Sequence, residues 1–191
     1  DRTTVVALDK LTGKTVWESA SLSDQSAYVS PILVDYASRQ MIVGVSGDHI
    51  YGVDAKDGSF LWTFTYAEQE PPAGGHNINA ASPLYHDGQI YVTSGYNHVG
   101  VMLRLSEDGR GVTLAWSDST LDCHHGGVVR VGNYIYGSNW INNGKGNWCC
   151  IDWTTGETRY ETDWVSKGSV IYADGMLYCY SERRGHFGLV P

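Results

Sequence analysis

One short pattern recurs along the chain and constrains the fold more than any other feature. An Asp is followed by Gly four residues later and by Trp or Tyr eight residues later. Three stretches carry it: Asp9–Trp17, Asp54–Trp62 and Asp152–Tyr160. A looser copy with a small insertion has Asp108-Gly109 as its turn and Trp116 as its aromatic residue. Each copy predicts two short strands joined by a tight turn, because Asp bonds to nearby amides and Gly adopts positive φ.

The repeats have the length of propeller blades. Between them, short β-type runs alternate with turn residues in sets of four, and no helical periodicity competes. Gly88, Gly132 and Gly175 stand 44 and 43 residues apart. A period in the forties with four strands in each unit is typical of β-propellers. We therefore predict an all-β fold, a β-propeller of four-stranded antiparallel blades with about four blades present.

The predicted blades divide the chain into five segments. They are residues 1–26, the outer two strands of one blade; 27–75, 76–121 and 122–165, three whole blades; and 166–191, a partial blade. Because blades bury their faces against neighbours, a propeller needs closure. Three arrangements remain open: the two ends complete a small ring, missing blades complete a larger one, or a homodimer closes it.

Charge and hydropathy exclude two classes of partner. The formal net charge is −8 and the sequence pI is about 5.2. Nucleic acids and anionic membranes are bound through dense positive charge, so we expect neither as a partner. No apolar run approaches the roughly 18 residues of a membrane span. The chain does not start with Met and has no signal peptide, which indicates processing or fragmentation.

The hairpin turns provide a register for comparing blades. Four residues are assigned to the same turn position: Asp35, Asp87, Val131 and Asp174. The same register makes four further residues equivalent, one from each blade, at the mouth of the central channel. We call this set the column: Tyr28, Ala80, His124 and Lys167. Loops from every blade converge there, so the channel mouth is where a ligand is expected.

Polar residues near this column form the candidate ligand-binding site. His124 and Lys167 lie on neighbouring blades, and His76, Asn77 and Asn79 lie at or just before the start of another. Together they would suit an anionic or polar ligand, either a small molecule or a protein. The alternative is that they only solvate a wide polar channel.

Two further candidates flank the column. Residues 139–148 form a Gly/Asn-rich insertion in which Trp140 would stack on a sugar or flat ligand. The alternative is an ordinary long hairpin with Trp148 in the core. His125 either contributes to ligand binding, or it bonds to the backbone or packs between blades. We predict no metal site, because successive strand residues such as His124 and His125 point in opposite directions.

The repeats resemble the tryptophan-docking motif of pyrroloquinoline-quinone-type (PQQ-type, quinoprotein alcohol dehydrogenase-like) β-propellers. The resemblance implies that Trp17 and its equivalents pack between adjacent blades. It also implies an extracytoplasmic location, periplasmic or secreted. The family includes quinone-dependent dehydrogenases and a non-catalytic lipoprotein scaffold of outer-membrane assembly, so membership alone leaves the function open.

The resemblance makes PQQ with Ca²⁺ the cofactor to consider, although none is evident from the residues. Quinoprotein dehydrogenases carry a vicinal disulfide over the quinone, and Cys149-Cys150 is the only adjacent cysteine pair here. The pair falls within a predicted strand, where a ring-closing disulfide would distort the backbone, so we predict two buried thiols. We find no set of acidic and amide residues on the inner strands for calcium and no catalytic residue.

Our leading hypothesis is therefore an extracytoplasmic PQQ-like propeller that binds a small ligand or protein at its channel mouth. The first alternative is a quinone-dependent alcohol or sugar dehydrogenase, or a fragment of one. The second alternative is a scaffold in envelope protein assembly that acts through blade edges.

Overall fold

The computed structural model describes residues 2–69 and 78–191, which form seventeen strands and no helix. The strands are β1 (Val6–Leu8), β2 (Thr15–Glu18), β3 (Ile32–Tyr36), β4 (Arg39–Val45), β5 (His49–Asp54), β6 (Phe60–Thr65), β7 (Leu84–His86), β8 (Gln89–Val92), β9 (Gly100–Leu105), β10 (Val112–Asp118), β11 (Val128–Val131), β12 (Tyr134–Ser138), β13 (Trp148–Asp152), β14 (Thr158–Thr162), β15 (Gly168–Ala173), β16 (Met176–Ser181) and β17 (Phe187–Val190).

The strands form separate antiparallel sheets in chain order, which confirms the predicted all-β propeller of about four blades. Strands β3–β6, β7–β10 and β11–β14 make three four-stranded sheets, which we number blades 1, 2 and 3. Strands β15–β17 form a three-stranded sheet, blade 4, and β1–β2 form a two-stranded half-blade. Every pairing joins strands that are consecutive in the chain.

The core lies between the blades and follows the two-residue alternation of strands. On β8 and β9, Ile90 and Val101 pack with blade 1, whereas Tyr91 and Met102 pack with blade 3. A third, smaller cluster joins Trp148 of blade 3 to blade 4. Blades 2 and 3 therefore each bury both of their faces.

The two ends of the blades differ. The first two strands of each blade are joined by two-residue turns. In blades 1, 2 and 4 both turn residues have positive φ, as in Asp87-Gly88 and Asp174-Gly175, whereas in blade 3 only Gly132 does. At the opposite end, longer segments connect the second strand to the third and lead into the next blade. We call this opposite end the loop end, and it carries the candidate site.

The structure corrects the predicted register in the third blade. Val131 ends β11 and pairs with Tyr134, so the turn consists of Gly132 and Asn133. Counting back from this turn makes His125, and not His124, equivalent to Lys167. In blade 1, Asp35 pairs with Gln40 within the two strands, and the turn consists of Ala37 and Ser38. Asp35 is therefore not at the turn position that the sequence predicts.

The inner strands also begin later than predicted. The sequence predicts that the innermost strands of blades 1, 2 and 3 begin at Tyr28, Asn79 and His124. They begin instead at Ile32, Leu84 and Val128. Pro31 and Pro83 stand directly before the first two of these strands and have no N–H to donate to a ladder. In the third case, Gly127 has a φ of 73°, which interrupts the extended backbone.

Candidate functional site

An open cavity of about 950 Å³ lies at the loop end and takes residues from three successive blades. Blade 2 contributes Tyr96, from the segment after β8. Blade 3 contributes His124 and His125 ahead of β11, and residues 142–145 between β12 and β13. The lining is completed by residues that flank β15 and β16 of blade 4: Lys167, Glu182 and Arg183.

A bridging carboxylate organises the charged wall of this cavity. Lys167 Nζ donates to Glu182 Oε1, and His125 Nε2 lies 3.3 Å from Glu182 Oε2. The Glu182 amide also donates to the Lys167 carbonyl at 3.1 Å, which holds the two backbones together. Lys167 is only 4% exposed. A cation buried to this degree requires a close counter-charge, which Glu182 supplies.

An aromatic group adjoins the charged wall, since the ring centroids of His124 and His125 are 4.5 Å apart. The His124 and Tyr96 ring centroids are 4.6 Å apart in an edge-on arrangement, and those of Tyr96 and Trp140 are 5.1 Å apart. Burial lowers the pKa of His124, and positive charge on His125 and Lys167 lowers it further. His124 is therefore neutral at pH 7, and its buried Nδ1 has no hydrogen-bond partner among the described residues.

Asp122 fixes two of the loops that form the site, and the sequence reasoning missed it. Its Oδ1 accepts from the Trp140 amide at 2.9 Å and its Oδ2 from the Asn97 amide at 2.6 Å. Asp122 is 4% exposed, and burial raises its pKa to about 7. An Asp between blades, next to the Cys123-His124-His125 run and outside the hairpin turns, was the available signal.

The structure brings together only some of the candidate residues. His124, His125 and Lys167 line the cavity, and Trp140 joins it through Tyr96. Tyr28 is 79% exposed and lies outside the cavity lining.

The candidates near the start of blade 2 lie apart from this group. Asn79 is buried, and its side chain donates to the carbonyls of Ser46 and Gly47 at 2.6 and 3.3 Å. Asn79 therefore joins two segments of the fold. His76 and Asn77 lie outside the described residues.

The cavity does not fit a calcium–quinone site of the kind that the resemblance implies. Calcium takes six to eight oxygen ligands, typically including several carboxylates. Glu182 is the single carboxylate in the lining, and Lys167 and His125 already engage it. Within residues 2–69 and 78–191, no three His, Cys, Asp or Glu side chains group as metal ligands.

The adjacent cysteines lie away from this cavity. Cys149 and Cys150 are successive residues of β13, both buried and both free thiols. Cys149 packs in the core between blades 2 and 3. Trp148, at the start of the same strand, is buried and donates from Nε1 to the Ser166 carbonyl at 2.8 Å.

A second, more apolar groove of about 810 Å³ runs between blades 3 and 4. Its exposed aromatic residues include Tyr160, Trp164 and Phe187. It continues to Leu189 and Val190 on β17, and no described strand pairs with the outer edge of β17. Exposed apolar surface of this kind is typical of interaction sites.

Solved structures share the fold at low identity. The BamB protein of Moraxella catarrhalis is 18% identical with a TM-score of 0.58, and the match covers 96% of this chain and 50% of BamB. The quinohemoprotein alcohol dehydrogenase of Comamonas testosteroni is 15% identical with a TM-score of 0.54, and the match covers 91% of this chain and 37% of the dehydrogenase. The computationally designed Ika8 protein is 12% identical with a TM-score of 0.54, covering 93% and 49% of the two chains.

The chain thus spans half or less of the length of these three structures. A comparison with curated proteins gives no match. Across the two described ranges, no helix has the length and apolar character to cross a membrane.

The model of the PQQ-like repeat family described as "Outer membrane protein assembly factor BamB" matches residues 1–158. The chain therefore belongs to this family of PQQ-like β-propeller proteins.

Proposed function

We propose that this PQQ-like propeller binds a small ligand in the loop-end cavity. The observation that carries the proposal is the convergence of loops from blades 2, 3 and 4 on one cavity that contains the buried Lys167. Concave sites with a few fixed polar groups on a rigid scaffold are the usual ligand sites of proteins. Asp122 and Glu182 hold the surrounding segments in place before any ligand arrives.

The test fills the cavity with a side chain. Gly144 lines it, and a Cβ added there would meet nothing closer than Asn142 Oδ1 at 3.7 Å. Gly144→Phe therefore places a ring in the cavity without backbone strain. The matched control is Gly111→Phe, next to the distant β9–β10 turn, where the nearest atom to a Cβ is Ser106 Oγ at 3.5 Å.

Binding is measured by saturation-transfer NMR with a panel of neutral sugars, acidic sugars, amino acids and carboxylic acids. We expect at least one class of compound to bind the wild type and Gly111→Phe and to lose binding in Gly144→Phe. If every hit binds all three proteins equally, the cavity is not the ligand site.

An extracytoplasmic location, periplasmic or secreted, is part of this proposal. It is supported by the family description, which names an outer membrane protein assembly factor. Fractionation of the producing cells with an antibody to this chain tests it. Recovery in the cytoplasmic fraction would contradict the proposed location.

A scaffold role in envelope assembly is the second candidate function. The groove between blades 3 and 4, with Trp164 and Phe187 exposed, is the observation that favours it. Cross-linking in cells tests it with a photoreactive residue at Phe187 and a control at the exposed Leu11 of the half-blade. Cross-links to an envelope protein specific to Phe187 support this role.

We propose further that the open edge of β17 is covered in the native particle, either by a second copy or by additional blades. Exposed strand edges flanked by apolar side chains promote association. The native mass, measured by light scattering and mass spectrometry, separates the two. A monomer of this chain alone in the native source would overturn both.

A quinone-dependent dehydrogenase remains the alternative enzyme function, supported by the similarity in fold to the Comamonas enzyme. The residues that line the cavity do not fit calcium and a quinone, so they favour this enzyme function less than the binding of another ligand. Its test is the addition of PQQ and Ca²⁺ to the purified chain, followed by absorbance and thermal unfolding. An unchanged spectrum together with an unchanged unfolding temperature would reject it for this chain.

A further inference from the structure

The cavity is positively charged within an acidic protein. The chain has a formal net charge of −8, yet the lining contains Lys145, Lys167 and Arg183 against one carboxylate. That carboxylate, Glu182, is engaged by Lys167 and His125. In the part of the chain that the structure describes, neither Lys145 nor Arg183 forms an ion pair. Two unpaired cations from adjacent blades therefore line one cavity.

The amide side chains nearby add hydrogen-bond donors. Asn142 Oδ1 accepts from the Gly144 amide at 2.9 Å, and Asn143 Oδ1 accepts from Trp140 Nε1 at 3.2 Å. Because these bonds use the amide oxygens, the side-chain NH₂ groups are left to donate. Lysine and arginine have no acceptor atoms either. This wall therefore suits a ligand that is rich in acceptor oxygens and negatively charged.

The size and the aromatic group argue against a bare inorganic anion. A volume of about 950 Å³ greatly exceeds what one phosphate or sulfate fills. The rings of Tyr96 and His124 line the same cavity and are 4.6 Å apart. Aromatic rings of this kind pack against the apolar face of a ring-shaped ligand.

We infer that the ligand is an anionic sugar, with its carboxylate or phosphate between Lys145 and Arg183 and its ring near Tyr96 and His124. This inference deepens the proposed function and rests on it. The carboxylate and the phosphate share the same recognition chemistry, so the experiment has one arm for each.

Calorimetric titration of the purified chain with four probes tests the inference. The probes are glucuronate, glucose 6-phosphate, glucose and inorganic phosphate. We expect at least one of the two anionic sugars to bind at least about tenfold more tightly than glucose and inorganic phosphate. The tighter of the two anionic sugars identifies the charged group.

Variants then locate the binding. Lys145→Gln combined with Arg183→Gln should weaken the anionic sugar by about tenfold or more and leave glucose unchanged. The matched control is Lys10→Gln combined with Lys14→Gln, which removes the same charge from the distant β1–β2 turn. The control should bind as the wild type does.

The outcomes separate this inference from the proposed function. The anionic sugar is overturned if neither glucuronate nor glucose 6-phosphate binds more tightly than glucose, or if the double variant in the cavity has no effect. Inorganic phosphate that binds as tightly as the tighter of the two anionic sugars overturns it as well. If a different class of compound binds the wild type and loses binding in Gly144→Phe, the proposed function stands without this inference. If the NMR panel and the four probes all fail to bind, both are wrong.

Discussion

The indole of Trp17 lies directly against Gly58, in the turn between β5 and β6. A Cβ added at Gly58 would approach Trp17 Cε3 to 2.4 Å, and Trp17 Nε1 donates to the Ala55 carbonyl of the same turn at 3.1 Å. Trp116 and Gly156 repeat the relationship, with a Cβ at 2.6 Å from Cε3. In these two pairs the Trp of one repeat rests on the glycine of the next, whereas the side chains nearest Gly109 are Met41, Tyr36 and Ala37.

The first prediction concerns Gly58→Ala. Gly58 has a φ of 76°, so the variant adds left-handed strain to the clash with Trp17. We expect the free energy of unfolding in urea to fall by about 2–5 kcal/mol. Gly13→Ala is the matched control, since Gly13 has a φ of 70° and nothing within 4 Å of a Cβ. It should cost only about 1–2 kcal/mol. Equal losses in both variants would show that the indole contact is not tight.

The second prediction concerns the ion pair in the cavity. Glu182→Gln removes the counter-charge of the buried Lys167 and should lower the free energy of unfolding by about 1–3 kcal/mol. Lys167→Met replaces the cation with an apolar side chain of similar length and should cost less than about 1 kcal/mol. Chemical denaturation at pH 7 measures both. The reverse order of the two variants would show that Lys167 tolerates burial without Glu182.

The third prediction is a pH dependence of stability that originates at Asp122. Burial raises its folded pKa to about 7 from the ordinary 3.8. Between these values the folded chain binds more protons than the unfolded chain. The contribution of Asp122 to the free energy of unfolding should therefore fall as pH rises from about 4 to about 7, by up to about 1.4 kcal/mol per pH unit.

Asp122→Asn has no charge to titrate and should flatten this part of the pH profile. Urea unfolding of both proteins at pH 5, 6, 7 and 8 gives the comparison. Other groups titrate in both proteins, so the difference between the two profiles reports on Asp122. Parallel profiles would mean that Asp122 keeps an ordinary pKa.

The fourth prediction concerns the cysteines. All four are buried, and burial raises the pKa of Cys123 to about 12 and also raises that of Cys149. We expect no reaction with a thiol reagent at pH 8 in the native state. In denaturant without reductant, four thiols should react. Reaction of only two would indicate a disulfide, with Cys149-Cys150 as the first pair to examine.

The blade architecture could be predicted because it is encoded in local patterns. The spacing of Asp54, Gly58 and Trp62 specifies a turn and two strands, and the same spacing repeats. Strand alternation then places residues such as Tyr91 and Met102 on one face. These features depend only on neighbours in the chain.

The site was harder to predict because it depends on contacts between blades. The turn of blade 3 lies at Gly132-Asn133, one residue later than the sequence spacing predicts, so His125 replaces His124 in the column. Glu182 and Asp122 act on residues 57 positions and 18 positions away, Glu182 on His125 and Asp122 on Trp140. Sequence spacing contains no direct sign of such pairs.

The difference between the two ends of the blades has an evolutionary consequence. At the end opposite the loop end, residues such as Asp174 and Gly175 must adopt positive φ, so few substitutions are tolerated there. At the loop end, segments such as residues 142–145 line the cavity and lie outside the strands. Binding specificity can therefore diverge by changes in length and composition at one end, while selection on the other end preserves the scaffold.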